Sequence, residues 1–270
     1  SGNWYVLSII MGLIILGGIG FVVFTNIAQK IRFAKKGQIF YLSLHVKIVL
    51  ISTVVLIVSG FVFTFISFYK TSLWEIPLSK RILTALFESV TLRTAGFETI
   101  PQTSFTSSAS LFHLILMFIG GSPGSIAGGV KTTTAFITLL YLLDGNEQRT
   151  TVSFANRRIP STIINKSITI VSRSVLILLI SAILLSLVEN QLISNGTISL
   201  IDIIYESVSA LATVGLSRGL TPQLSFLGKL IIIITMYIGR TGIYAMSIKS
   251  GFTGSDNEDL IYPEESLLVG

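Results

Sequence analysis

Two tetrapeptides of one pattern, Thr94-Ala95-Gly96-Phe97 and Thr213-Val214-Gly215-Leu216, recur 119 positions apart. Neither carries an acid, a base or a nucleophile, so the chemistry open to them is that of the main chain. Carbonyl oxygens aimed at one point can replace the water around a dehydrated cation. Glycine suits that task because it takes backbone angles that other residues resist. Threonine adds a hydroxyl oxygen. The pattern is common in loops, and what gives it weight here is its setting. Each copy follows a short half-apolar segment (79–92 and 199–211), about 13 residues, too short to cross a bilayer and long enough for a re-entrant helix. Such a helix would turn its partly negative C-terminal end toward a cation.

A second candidate is the stretch Gly120-Gly121-Ser122-Pro123-Gly124-Ser125-Ile126-Ala127-Gly128-Gly129-Val130-Lys131. Six helix-breaking residues in ten positions interrupt an apolar run at 110–143. Irregular backbone at membrane depth must line a cavity or be buried in protein. A phosphate-binding loop is a rival reading, but Val130 displaces Lys131 from the required spacing, and the flank is apolar and span-like rather than a strand. A close-packed kink without function is another. Arg240 lies inside an apolar run, and an intramembrane charge normally faces a cavity or a partner. Lys131 is a candidate for anchoring the glycine stretch or pairing with a carboxylate. Glu88 and Glu206 stand at matched places in the two short segments and read as supports of the tetrapeptides. Paired-carboxylate catalysis would need a second acid or base beside each. Arg93, without a basic counterpart at Ala212, is expected to brace the first tetrapeptide through a carboxylate such as Glu88.

The elements that must position these residues follow from composition. Half of the 270 residues are hydrophobic (51%), 12% are charged, and the mean hydropathy is +0.80. Soluble domains carry about a quarter charged residues. Apolar runs near the length of a span recur at 4–24, 48–69, 171–188 and 224–248, against the roughly 20 residues needed to cross. The chain lacks cysteine and has two distant histidines, His45 and His113, which excludes thiolate and zinc motifs. The net charge of +6 follows membrane topology better than nucleic-acid binding. Ten of the basic residues, from Lys30 to Lys47 and from Arg149 to Arg173, fall in two segments, while the opposite side holds five. By the positive-inside rule those two segments are cytoplasmic.

The tetrapeptides belong to an internal repeat. Phe87-Glu-Ser-Val90 recurs as Tyr205-Glu-Ser-Val208, and Met117-Phe-Ile-Gly120 as Met236-Tyr-Ile-Gly239. Each copy reads span, short segment, tetrapeptide, second span. Leu16-Gly-Gly-Ile-Gly20 resembles the glycine pairs of those second spans, so 4–24 reads as the second span of a preceding copy. An even number of crossings per copy makes the repeats parallel. A broken-helix secondary transporter of another small ion or solute would predict inverted ones.

On Arg93-Thr-Ala-Gly-Phe-Glu-Thr99, Ala212-Thr-Val-Gly-Leu-Ser217, the glycine stretch and Arg240, the chain resembles the superfamily of K⁺ transporters that includes KtrB, TrkH and the plant HKT proteins. The tail Tyr262-Pro-Glu-Glu-Ser-Leu-Leu-Val-Gly270 is most similar to the KtrB branch. The resemblance implies an all-α integral membrane protein, not an enzyme, in which four repeats surround one pore in the cell membrane. This chain would supply two of them. Residues 94–97 and 213–216 would be filter segments holding K⁺ through backbone carbonyls. Residues 120–125, 128 and 129, with Lys131 and Arg240, would form an intramembrane gate. Na⁺ as a coupled or activating ion is left open. The resemblance further implies a homodimer and a cytoplasmic nucleotide-binding ring of the KtrA kind, the nucleotide sitting on that partner alone. The acidic tail is a candidate contact for either. The expected organisation is a preceding span at 1–27, a cytoplasmic loop at 28–47, a full repeat at 48–143, a cytoplasmic loop at 144–165, a second repeat at 166–250 and a cytoplasmic tail at 251–270.

Overall fold

An apolar segment in lipid finds no water for its amides and carbonyls, so it closes them on itself as helix. The computed structural model describes residues 3–69, 71–75, 77–144 and 152–241, and they follow that rule. The expected C-terminal tail lies outside the described residues. Helix α1 (Trp4–Ile19) and helix α2 (Phe21–Ala34) meet at Gly20 with a bend of 92°. The sequence reading joined them as one span at 4–24. Gly20 takes φ +87°, which no helix interior allows, and a Cβ there would press on the carbonyl of Pro123.

The first full copy begins with α3 (Leu44–Ser67), 24 residues long and capped by Ser43, whose hydroxyl accepts from the Val46 amide at 3.3 Å. At 1.5 Å per residue it spans a hydrocarbon core. Helix α4 (Leu78–Thr91), with 14 residues, does not. Helix α5 (Ser107–Phe118) starts at the Thr106 cap, and α6 (Thr132–Asp144) resumes beyond the glycine stretch. Strands β1 (Val152–Phe154) and β2 (Arg157–Ile159) then pair as a hairpin. Its two-residue turn, Ala155-Asn156, has positive φ at both positions, as a tight hairpin requires. The hairpin and the first turns of α7 (Ser161–Val188) occupy what the sequence reading left as loop. Three-residue strands are too short to betray alternation. The second copy continues with α8 (Asn190–Ser194), α9 (Leu200–Leu211) and α10 (Phe226–Thr241).

Repetition reaches into the connections. The 3₁₀ turns Gln102–Ser104 and Thr221–Gln223 sit at the same offset as the tetrapeptides. An apolar cluster joins the copies, with Leu92, Leu114 and Met117 of the first packed against Tyr205, Val208, Val214 and Leu216 of the second. Outward faces stay apolar as well: Leu176, Leu179, Ile183 and Leu187 of α7 are all exposed, as lipid contact demands. The architecture is thus an all-α integral membrane fold of repeated span and short-helix units.

Glycine sets how closely α9 and α10 approach. A Cβ at Gly239 would fall on the carbonyl oxygen of Leu211, which is backbone and cannot rotate away. Gly239→Ala is therefore expected to cost about 1–3 kcal/mol by overpacking. Gly12→Ala, where a Cβ meets nothing within 4 Å, should cost nothing. Thermal melting of the two purified variants in detergent checks the contrast.

Candidate functional site

Beyond the last turn of each short helix the main chain changes hand at every second residue. Thr94 and Gly96 take φ of 63° and 73°, and Thr213 and Gly215 take 53° and 94°; the residues between them keep negative φ. A β-branched residue in the left-handed region is a genuine outlier and costs about 1–3 kcal/mol, so the surroundings must hold it. The holding contacts come from the helix ends. Ala95 N–H donates to Thr91 O at 3.1 Å, and Phe97 N–H to Thr91 Oγ1 at 2.9 Å. In the second copy Val214 N–H donates to Ser209 O at 2.9 Å, and Gly215 N–H to Ser209 Oγ at 3.2 Å. Among the described residues no peptide bond is cis, so each carbonyl points opposite to the amide that follows it. Amides drawn back to the helix turn the carbonyls of Thr94, Gly96, Thr213 and Val214 away from it. Phe97 differs, because its carbonyl returns to Thr91 Oγ1 at 2.7 Å.

The two stretches adjoin. A Cβ on Gly215 would lie 3.7 Å from Gly96 Cα, and one on Gly96 would collide with Val214 O. The segment that returns from each is held by the matched glutamate. Glu88 Oε1 accepts from Gln102 Nε2 at 2.9 Å, whereas Glu206 accepts from the Ser217 and Thr221 hydroxyls. Gln102 and Thr221 open the two equivalent 3₁₀ turns. Arg93 does not brace Glu88. Its guanidinium turns to Thr53 Oγ1 of α3 at 3.4 Å.

The glycine stretch 120–129 lies against both tetrapeptides. A Cβ on Gly120 would stand 3.3 Å from Thr94 Cγ2, and one on Gly128 only 2.6 Å from Ala212 O. Its backbone is bonded at the rim: Gly120 N–H to Val130 O at 3.0 Å, Val130 N–H to Phe118 O at 3.0 Å, and Thr132 N–H to Gly121 O at 3.0 Å. Ser122 and Thr132 hydroxyls meet at 3.1 Å. The bend between α1 and α2 grips the same stretch through Ser122 N–H to Gly18 O at 2.9 Å and Phe21 N–H to Gly124 O at 3.3 Å. Pro123 and Ser125 lie in this gripped turn, Ser125 N–H closing it on Ser122 O at 3.1 Å. At the far end two cations hold its carbonyls. Arg240 Nη1 donates to Ile126 O at 2.6 Å, and Lys131 Nζ donates to Ala127 O, so Lys131 anchors main chain rather than pairing with a carboxylate. A helix, α5, precedes the stretch, which removes the phosphate-loop reading.

A model of the TrkH family of cation transport proteins matches residues 1–256. The chain belongs to this family. Among its relatives, the potassium/sodium uptake protein NtpJ of Enterococcus hirae is 33% identical over 99% of this chain and 58% of its own length. The Ktr system potassium uptake protein B of Bacillus subtilis is 31% identical over 97% of this chain and 56% of its own. The potassium transporter TrkH from Vibrio parahaemolyticus shares the fold, with a TM-score of 0.71 at 17% identity over 94% of this chain and 54% of that one. The chain thus spans little more than half the length of the relatives it matches. TrkH-family membership and these apolar helices make it a membrane protein. Among the described residues no group of three or more His, Cys, Asp or Glu is placed to hold a metal ion.

Sequence reasoning missed two groups. The grip of Gly18 and Gly20 on the glycine stretch was signalled only by a glycine-rich motif that also fits helix packing. Arg218 and Gln102, which with Tyr205 link the copies, carry no periodic or spaced signature. If Ser209 Oγ holds the Gly215 amide, Ser209→Ala should speed hydrogen exchange of that amide on the order of tenfold, the effect of about 1.4 kcal/mol. Exchange measured by mass spectrometry on peptides covering 213–216 checks it, and an unchanged rate would mean that the bond supports nothing.

Proposed function

We propose that this chain forms two sectors of a pore that takes up K⁺ down the membrane potential, with residues 94–97 and 213–216 as filter segments. The observation that carries the reading is the approach of Gly96 to Gly215, at which two stretches of alternating hand adjoin with carbonyls turned from their helices. Carbonyl oxygens so arranged can replace a hydration shell. The relatives named as potassium uptake proteins support the choice of ion, and NtpJ, named for both potassium and sodium, keeps Na⁺ as a second ion of the same pathway. Two further sectors complete the ring in this reading. The pore lies in the cell membrane, with 28–47 and 144–165 cytoplasmic by their positive charge and the C-terminus on the same side. It works as a homodimer with a cytoplasmic nucleotide-binding ring of the KtrA kind, in keeping with relatives named as members of a Ktr system.

The glycine stretch 120–129 is the gate. It lies against the inner residues of both filter segments, and glycine gives it conformations to move through. Lys131 and Arg240 latch its far end by its own carbonyls.

Two variants test the two halves of this reading. Gly215 holds φ +94°, so Gly215→Ala strains the second filter segment, and its preference for K⁺ over Na⁺ should fall on the order of tenfold for about 1.4 kcal/mol. Competition uptake in K⁺-limited cells reads this, and an unaltered preference would remove the filter assignment. Arg240→Gln weakens the latch. It should raise the rate of K⁺ uptake while leaving ion preference at the wild-type value. A rate equal to wild type, measured at matched membrane abundance, would count against Arg240 as the latch.

A further inference from the structure

One buried residue bonds both copies at once. Gln102 is 1% exposed. Its N–H donates to Glu98 Oε1 at 2.8 Å and its Nε2 to Glu88 Oε1 at 2.9 Å. Its Oε1 accepts from the Tyr205 hydroxyl at 2.8 Å, and its carbonyl accepts from Arg218 Nη1 at 2.9 Å. Glu88 belongs to α4 and Tyr205 to α9, the two short helices that lead into the filter segments. Arg218 follows the second segment by two residues. It also pairs with Asp202 Oδ1 at 2.7 Å, at the start of α9, and donates to Ser110 Oγ of α5 at 2.6 Å.

The second copy does not repeat this arrangement. Thr221, the counterpart of Gln102, donates only to Glu206 and Ser217 of its own copy. A cavity of about 240 Å³ lies there, lined among others by Glu206, Thr213, Gly215 and Thr221. Among the described residues the cross-link lies at the boundary between the two copies.

Apart from Arg240 on Ile126 O at the glycine stretch, the remaining contact across that boundary is chiefly apolar, and apolar contact is non-directional. Hydrogen bonds weaken steeply away from their preferred length and angle. The junction is therefore the part of the boundary that resists a small sliding of one short helix past the other. Because Gly96 and Gly215 touch, such sliding moves carbonyls of one segment relative to those of the next. Na⁺ is smaller than K⁺ and needs its oxygens closer, so a filter whose sectors are free to shift accommodates both.

We propose that the Gln102–Tyr205–Arg218 junction fixes the separation of the two filter segments and is thereby a determinant of ion selectivity. These are positioning residues that touch no ion, and the proposal rests on the filter reading above. The test measures Na⁺ competition against K⁺ uptake by the full chain, at matched membrane abundance, for Tyr205→Phe, Arg218→Lys and Gly215→Ala. Tyr205→Phe removes one hydroxyl and leaves the buried ring in place; Arg218→Lys keeps the charge and loses the fork. Each should lower the K⁺ preference several-fold, up to about tenfold if about 1.4 kcal/mol of positioning is lost. Combined with Gly215→Ala, each should add less than its separate effect, because both act on one spacing. If Gly215→Ala relaxes the preference while Tyr205→Phe and Arg218→Lys retain the wild-type value, the junction is only structural and the proposal falls while the filter reading stands. If none of the three changes it, the filter reading falls and takes the proposal with it. Should one junction variant fail to reach the membrane, the other decides.

Discussion

Every polar group of the main chain that leaves a helix inside a bilayer needs a partner, because lipid offers none. Most features of this chain follow from that demand. The tetrapeptides find partners at the ends of their own helices, in Thr91 and Ser209. The glycine stretch finds them in the bend at Gly18–Gly20 on one side and in Lys131 and Arg240 on the other. Intramembrane charges that look costly in isolation are therefore the complement of irregular backbone. Each exists because the other does, and neither is stable alone at that depth.

How legible was this in the amino-acid order? The spans at 48–69 and 171–188 stood out by length and apolarity, and both became single helices. The short helices, the tetrapeptides and their equivalence were legible because the chain states them twice, and duplication separates a signal from a common tetrapeptide. Glutamates 88 and 206 were recognised as supports for the same reason, and both grip the turn that returns from the tetrapeptide. What duplication does not cover was lost. The bend at Gly20 hides in a run whose hydropathy is continuous, since glycine interrupts geometry without interrupting apolarity. Arg93, unique to one copy, was assigned to Glu88 on proximity in sequence, but its guanidinium bonds Thr53 of α3. Gln102 sits in a loop, where neither period nor spacing marks a residue that will be buried.

Departures from the repeat are as informative as the repeat. Gln102 against Thr221 and Arg93 against Ala212 distinguish two copies of one plan. At the boundary between them the first copy's Gln102 is bonded to Tyr205 and Arg218 of the second, while the second span of the first copy opens into the glycine stretch.

The left-handed threonines carry a further consequence, for biogenesis. Thr94 and Thr213 adopt a backbone shape that their own side chains oppose, and contacts from the helix ends and the neighbouring copy hold them there. Spans can enter the bilayer one at a time by hydrophobicity alone, but these segments cannot take their final shape until α4, α9 and the neighbouring copy have docked. The two tetrapeptides are then the last part of the molecule to take their shape.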